Sequence, residues 1–285
     1  MRLAPAITAA ARRLAAAGVP SPRADAEWLA AHVLGVTRGA LRASVWLDRE
    51  LDDAGALAQR YDLAIAERAR RVPLQHITGT APFRGLELAV GPGVFIPRPE
   101  TEQVAEAAIR AARARPAPVL AVDLCSGSGA IAAALAAEAP GVRVVAVEKS
   151  PEACAWAERN LAGTGVRLVQ GDVAGALPEL DGQVDVVVSN PPYIPPGAVP
   201  LDPEVRDHDP ADALYGGGPD GLAIPGIVLE TAARLAKPGG ALVLEHGECQ
   251  GEALVRLARA GGAWTALETL PDLAGRPRML TARRA

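Results

Sequence analysis

The chain has 285 residues, enough for one large domain or two ordinary ones, and is 49% hydrophobic and 22% charged with a net charge of −4. That composition belongs to folded chains and lacks the strongly basic balance of a nucleic-acid-binding surface. Three cysteines, Cys125, Cys154 and Cys249, show no C-x-x-C spacing and argue against a disulfide framework or a cysteine zinc site.

The N-terminal Ala-rich stretch is interrupted by Arg12 and Arg13, so it does not read as a signal peptide. No run approaches the ~20 apolar residues of a membrane span, and a cytoplasmic location is expected. The first eighty residues read as helices. Ile7, Ala11, Leu14 and Ala15 share one helical face. Ser21-Pro22 looks like an N-cap followed by proline at the first helical position. It opens a segment containing Trp28, Leu29, Val33 and Leu34, which Gly35 stops. Leu57, Tyr61, Ile65 and Arg68 recur at helical spacing. These faces predict a small helical bundle whose aromatics lie either in its core or on a partner-docking surface.

From Pro82 the texture changes. Phe83–Val90 and Val94–Ile96 flank Gly91-Pro92-Gly93, the pattern of a β-hairpin between two domains. Pro99 and the acids Glu100 and Glu102 fit a helix start. Arg98 and Glu100 suit either a substrate mouth or an interdomain ion pair.

Beyond Val119 strands and helices alternate. Apolar runs at Val119–Leu124, Val142–Val147, Leu168–Gln170, Val184–Ser189 and Ala241–Glu245 are separated in part by helical stretches at Ala130–Ala137, Pro151–Leu161 and Leu222–Leu235. That order predicts an α/β fold with a parallel sheet covered on both faces. Ala266–Leu270 and Met279–Ala282 are expected to pair antiparallel at its edge. Pro195–Gly221 is long and rich in Pro, Gly and Asp, and reads as a mobile loop of the length that is either functional or disordered.

Chemistry concentrates where strands end. Val184–Ser189 delivers Asn190-Pro191-Pro192-Tyr193. The Asn oxygen and a main-chain carbonyl can each accept one N–H of a planar NH₂ group, with the Tyr ring across its flat face. Neither proline has an N–H to donate, so the corner presents acceptors. Asp123 closes the first strand, and Cys125-Ser126-Gly127-Ser128-Gly129 turns into a helix, where glycines allow a ligand to approach the backbone. Glu148 ends the second strand, where a carboxylate can accept both hydroxyls of a ribose. Asp172 ends the third, where it can accept from an adenine amine. Acids on successive strands beside a glycine turn trace an adenosine across the sheet. The four histidines show no metal-ligand spacing, and His246 reads as structural support.

In this order Asp123–Gly129, Glu148, Asp172 and Asn190–Tyr193 resemble class I methyltransferases that use S-adenosylmethionine. The whole chain is similar to the protein-(glutamine-N5) methyltransferases of peptide-chain release factors. The supporting segments are Pro73–Gly79, Phe95–Glu102, Asn190–Ile194, Glu245-His246-Gly247 and Asp272–Arg276. The resemblance implies a Rossmann-like class I methyltransferase sheet, mostly parallel with an antiparallel edge strand. A helical N-terminal substrate-docking domain over residues 1–81 and a β-hairpin linker over 82–98 precede the methyltransferase domain at 99–285. It implies methyl transfer to the glutamine amide of the Gly-Gly-Gln motif of class 1 release factors. By analogy the cofactor lies against Asp123, Cys125, Ser126, Gly127, Ser128 and Gly129, its ribose on Glu148, its adenine near Asp172-Val173. Asn190 lies where cofactor and substrate meet, with Pro191, Pro192 and Tyr193 completing the substrate contact. Cys125 stands where the family often has Gly, and Val173 where it often has an aromatic.

Two other readings fit parts of the pattern. An amino-methyltransferase acting on adenine N6 or guanine N2 would use the same clamp, but the acidic balance and the lack of a basic, aromatic-laced segment oppose it. A non-catalytic adenosine-binding module that docks a translation factor would have no need of an intact Asn-Pro-Pro-Tyr.

Overall fold

The computed structural model describes residues 2–47 and 54–285. By contacts the chain divides into two units, Met1–Thr80 with Pro200–His208, and Ala81–Val199 with Asp209–Ala285.

The first unit is helical: α1 (Leu3–Ala16), α2 (Pro22–Leu34), α3 (Arg38–Trp46), α4 (Ala54–Ala69) and α5 (Leu74–Thr78), joined much later in sequence by α9 (Pro203–His208). Leu3, Ile7, Ala10 and Leu14 form the buried stripe of α1, so the expected Ala15 is exposed and Ala11 only half-buried. They pack on Leu29 and Val33 of α2 and on Tyr61 and Ile65 of α4. The Tyr61 hydroxyl donates to the Ala26 carbonyl at 2.9 Å, which satisfies its one polar atom inside an apolar layer. Trp28 departs from the core alternative. It is 44% exposed, with the Arg38 guanidinium 5.5 Å from its ring centre. Ser21 precedes Pro22 as expected but makes no side-chain cap; its carbonyl accepts from Asp25 N instead.

Arg68 is buried between Asp25 at 2.7 Å and Glu204 at 2.7 Å. Arg71 grips both oxygens of Glu204, at 2.7 and 2.5 Å. Burial would raise the Glu204 carboxyl, but Arg71 and Arg68 overcome it and bring it down to about 2. Removing one partner from a buried pair costs about 3–5 kcal/mol, because the other charge is left without compensation. Part of the stretch expected as a mobile loop is therefore helix α9, held by ion pairs.

The second unit opens with a short hairpin, β1 (Thr80–Phe83) and β2 (Leu86–Ala89). Its turn is Arg84-Gly85, with φ of 48° and 78°, not Gly91-Pro92-Gly93 as the sequence pattern predicts. The latter packs against helix α8 (Pro151–Leu161). A Cβ at Gly91 would lie 2.5 Å from the Trp156 ring, whose Nε1 donates to Pro92 O at 3.2 Å. Helix α6 (Thr101–Arg113) comes next, two residues beyond Pro99. Of the two alternatives for Arg98 and Glu100 the interdomain pair is not the one formed: both residues pair inside this unit, Arg98 with Asp209 and Glu100 with Arg276.

Strands β3 (Val119–Leu124), β4 (Val142–Glu148), β5 (Arg167–Gln170), β6 (Val184–Ser189), β7 (Ala236–Glu245), β8 (Trp264–Pro271) and β9 (Pro277–Arg284) form one sheet. Helices α7 (Ala130–Glu138), α8 (Pro151–Leu161), α10 (Ala211–Leu214), α11 (Ala223–Leu235) and α12 (Gly251–Ala260) lie between them in sequence. The strand order is β5-β4-β3-β6-β7-β9-β8. The first five are parallel; β9 and the edge strand β8 are antiparallel additions. This is the mostly parallel sheet with an antiparallel edge that the sequence predicts. Along β3, Val119 and Ala121 join the apolar layer of α6 and α7, while Leu120, Val122 and Leu124 join that of α11 and α12. Continuous β-branched runs are thus explained by burial on both faces. Among the described residues no helix is long and apolar enough to cross a membrane.

Candidate active site

The sheet register sets one row of residues on the rim. Leu124 pairs with Val147 and with Ser189, and Ser189 with Leu244. One step beyond those pairs come Cys125, Glu148, Asn190 and Glu245. The chain winds outward from β3 through β4 to β5, then returns to β6 on the other side. The resulting crevice between β3 and β6 is where open α/β sheets take ligands.

At the β3 half the backbone turns tightly. Cys125, Gly127 and Gly129 have φ of 59°, 56° and 81°. A Cβ at Gly129 would meet Leu161 of α8 at 3.1 Å, so glycine serves both the conformation and the close helix packing there. Asp123 lies fully buried beneath the turn, accepting from Ser126 Oγ at 2.8 Å and Ala132 N at 3.1 Å. Its Oδ1 is buried without a hydrogen-bond partner, and burial pushes the carboxyl up to about 7 against those two donors. Asn160 of α8 ties the turn to the hairpin, donating to Ser128 O at 2.9 Å and bridging both main-chain groups of Ala89.

Glu148 accepts from Gly127 N at 2.7 Å and Ser150 N at 2.8 Å, one on each oxygen. Each oxygen keeps a further lone pair, so the carboxylate is oriented without being exhausted. Asp172 is half exposed. The Ala174 N–H at 2.9 Å, together with Lys149 Nζ at 2.9 Å, lowers its carboxyl below the ordinary range. Nothing in the sequence pattern marks Lys149 as its partner. Val173 is buried in the α11–α12 layer, and its carbonyl accepts from Thr231 Oγ1 at 3.0 Å. Cys125 is half-buried and packs against the α11–α12 layer. Burial and then the Glu148 carboxylate push the thiol up to about 12, so it stays protonated at neutral pH.

At the β6 half the polar groups are held by side chains. Asn190 Nδ2 donates to Thr101 Oγ1 of α6 at 3.1 Å, which leaves Oδ1 as the end of the carboxamide available to a ligand. The Tyr193 hydroxyl donates to Glu245 Oε1 at 3.3 Å. Burial and the Glu245 carboxylate raise the phenol above its ordinary range, so it stays protonated. Gln250 uses its whole amide. Oε1 accepts from Gly247 N at 2.8 Å, while Nε2 donates to Tyr193 O at 2.7 Å and Asp220 O at 2.8 Å. The 216–221 turn closes on the same backbone: a Cβ at Gly216 would sit 1.9 Å from Gly221 O, and one at Gly221 2.2 Å from Tyr193 O. These contacts fix the Pro191–Ile194 path, together with Tyr193 N and Ile194 N on Leu214 O.

His246 is buried, with Nδ1 2.8 Å from Gly247 O, and burial lowers its pKa; it supports the strand end as a neutral ring. Thr101, Glu245, Gln250 and Asn160 are the polar supports that residue type alone does not single out. Only the strand-terminal place of Glu245 hinted at one of them.

A doubly covered sheet with a glycine turn and acids at successive strand ends is the arrangement expected of a class I methyltransferase. Residues 5–79 match the family model described as PrmC N-terminal domain, and residues 102–201 that described as methyltransferase small domain. The release factor glutamine methyltransferase of Mycolicibacterium smegmatis is 52% identical over 99% of this chain and 98% of that protein. That of Streptomyces coelicolor is 51% identical over 98% and 97%. A 4-amino-L-phenylalanine/4-methylamino-L-phenylalanine methyltransferase of Streptomyces pristinaespiralis is 42% identical over 94% and 91%. A methyltransferase of known structure from Pyrococcus furiosus shares the fold, with TM-score 0.51 and 20% identity over 70% of this chain and 89% of that one. The chain belongs to the release factor glutamine methyltransferase family.

Proposed function

We propose that this chain transfers a methyl group from S-adenosylmethionine to the side-chain amide nitrogen (N5) of the glutamine in the Gly-Gly-Gln motif of class 1 peptide-chain release factors. The observation that carries the chemistry is the pinned Asn190 carboxamide, with Nδ2 on Thr101 and Oδ1 left to accept. The protein substrate follows from the family.

S-adenosylmethionine, when bound, supplies a methyl carbon made electrophilic by its sulfonium. Asp123, Cys125, Ser126, Gly127, Ser128, Gly129, Glu148, Asp172, Val173 and Asn190 would hold it. The fit rests on donor chemistry: Asp123 Oδ1 is a buried acceptor without a partner, and Glu148 keeps unused lone pairs. Such a rim suits a ligand bearing hydroxyl and ammonium donors.

An amide nitrogen is a poor nucleophile because its lone pair is delocalised into the carbonyl. Asn190 Oδ1 and the Pro191 carbonyl accept its two hydrogens and orient it for in-line attack. As positive charge develops on nitrogen, those acceptors bind the hydrogens more strongly than before, which lowers the barrier. Pro192 stiffens the corner and Tyr193 covers the amide plane. No general base is required, since the product nitrogen is acidic enough to lose its proton to water. Residues 1–81 dock the release factor, 82–98 link, and 99–285 carry the chemistry. A translation factor as substrate places the enzyme in the cytoplasm.

The test is incubation with labelled S-adenosylmethionine and purified release factor, a Gln→Ala release factor, a nucleic-acid control and 4-amino-L-phenylalanine. Label on the intact factor and none on its Gln→Ala form is expected. Label in nucleic acid alone overturns the substrate. The last arm is included because the Streptomyces pristinaespiralis relative is named for that amine; labelling it faster than the release factor would move the substrate to a free arylamine.

A further inference from the structure

Gln250 holds the N-cap position of α12, yet its side chain caps nothing there. Residues at that position usually spend a short polar side chain on the first N–H groups of the helix. This one reaches back to the rim instead. Its main chain is anchored on both sides, with N on Gly247 O and O on Leu254 N, each at 2.9 Å. Oε1 accepts from Gly247 N at 2.8 Å, and Nε2 donates to Tyr193 O at 2.7 Å and Asp220 O at 2.8 Å. Only one orientation of the carboxamide satisfies a donor on one side and two carbonyls on the other.

The 216–221 turn, which supplies Asp220 O, packs on the same stretch of backbone. Gly216 N donates to Ile194 O at 3.0 Å, and a Cβ at Gly216 would come 2.8 Å from Pro192 O. The three carbonyls that follow Asn190 are thereby sorted. That of Tyr193 is taken by Gln250, and that of Pro192 is covered by Gly216. That of Pro191 accepts from no donor among the described residues. Pro191 is itself buried, in surroundings where main-chain carbonyls are nearly always paired.

We infer that Gln250, together with the glycine turn, is a positioning residue that leaves the Pro191 carbonyl as the main-chain acceptor of the corner and sets its direction. This rests on the reading of Asn190 and Pro191 as the acceptors of the substrate's two amide hydrogens. Proline fixes φ at both 191 and 192. One end of the corner is held by the Asn190 side chain on Thr101, the other by Tyr193 O on Gln250. Few torsions remain through which the Pro191 carbonyl could turn. Without the Gln250 donor the Tyr193 peptide is free to rotate, and the peptide planes before it move with it. A misplacement of about 1 Å in a reacting group can cost about 10²-fold in rate.

The experiment compares kcat, release-factor KM and cofactor Kd of full-length wild type, Gln250→Ala, Gln250→Glu and Gly221→Ala, using labelled S-adenosylmethionine. Rates are taken at a temperature where melting curves show each variant folded. Glutamate has nearly the shape of glutamine and keeps the acceptor for Gly247 N, but turns an oxygen toward two carbonyls. Gln250→Glu is therefore expected to lose about 10²-fold in kcat, against about tenfold for Gln250→Ala, with KM and cofactor Kd moving less than about threefold. A side chain that only filled space would give the opposite order. Gly221→Ala places a Cβ 2.2 Å from Tyr193 O and is expected to lower kcat in the same way. Because both substitutions act on one carbonyl, the double variant should lose less than the product of the two losses. Gln250→Glu as fast as Gln250→Ala or faster, a cofactor Kd that weakens as much as kcat falls, or losses that multiply, overturns the inference. Should Gly221→Ala or Gln250→Glu not fold, the split between kcat and cofactor Kd in Gln250→Ala decides it. Wild-type enzyme that labels another amine refutes the substrate reading instead, and the same variants are then compared on that amine.

Discussion

At the β3–β4–β5 half of the rim the acids are oriented mostly by main-chain N–H groups close in sequence, whereas at the β6–β7 half the Asn190, Tyr193 and Gln250 side chains each reach a partner far away in sequence. The partners of Asp123, Glu148 and Asp172 through hydrogen bonds lie 2 to 21 positions away. Those linking Asn190 to Thr101, Tyr193 to Glu245 and Gln250 to Tyr193 lie 89, 52 and 57 positions away. The first half is a local device, a turn and three strand ends that would bind an adenosine on many α/β proteins. The second is assembled only when α6, β6, β7 and the start of α12 are all in place. Binding and transfer should therefore be separable by substitution.

The sharpest way to break that division is Asn190→Ala. Removing one preorganised group aimed at a developing charge costs about 10²–10³-fold in rate. Single-turnover methyl transfer should fall by that amount while calorimetry shows a much smaller change in cofactor Kd, because Asp123, the glycine turn, Glu148 and Asp172 would still hold the cofactor. Equal loss in both measurements would merge the two halves into one site.

Glu148→Ala should act on the opposite side. It deletes a carboxylate whose oxygens already orient Gly127 N and Ser150 N. Cofactor Kd should weaken about 10–100-fold, the worth of one charge-assisted hydrogen bond. At saturating cofactor kcat should stay near wild type. A kcat that collapses regardless of cofactor concentration would mean that the glycine turn, once released, disturbs the transfer corner as well.

Gln250→Ala is expected to be milder. It releases Tyr193 O and Asp220 O and leaves Gly247 N without an acceptor. A buried group left unsatisfied costs about 1–3 kcal/mol, so the melting temperature should fall and transfer slow by about tenfold. An unchanged rate with the same stability loss would show that the turn at 216–221 holds Tyr193 by itself.

The contrast in sequence separation also explains how much was legible beforehand. The glycine turn, Glu148, Asp172 and Asn-Pro-Pro-Tyr declare themselves because residue type and strand end coincide within a few positions. The parallel sheet was legible because β-branched runs recur at helix-length intervals. Thr101 was hidden inside a helix start, where a threonine ordinarily serves as a cap, and Gln250 looked like any polar residue after a strand. The segment around Glu204 read as a loop because its Pro, Gly and Asp content is local. The arginines that make it a helix of the first unit, Arg68 and Arg71, come more than a hundred residues earlier. The hairpin turn was misplaced because Gly91-Pro92-Gly93 carries a stronger local turn signal than Arg84-Gly85. What those glycines serve is the approach of Trp156, which no local pattern contains.

Cys125→Gly is the smallest expected effect and tests whether the local half is built on backbone shape or on side chains. Cys125 sits at φ 59°, a conformation that costs a side-chain-bearing residue about 1–2 kcal/mol. Glycine removes that cost but adds about 0.5–1 kcal/mol of chain entropy, so a gain of at most about 1.5 kcal/mol remains. In a unit of this size each 1 kcal/mol raises the melting temperature by about 2–4 °C, so the rise is at most about 6 °C. Cys125→Ala keeps the strained φ, loses the thiol and should not share the gain. Because the thiol is pushed up to about 12 and stays protonated, alkylating reagents should react slowly with it in the wild type. A loss of stability in both variants would mean that thiol packing outweighs backbone strain, and that the turn depends on its one non-glycine left-handed residue for contacts rather than tolerating it.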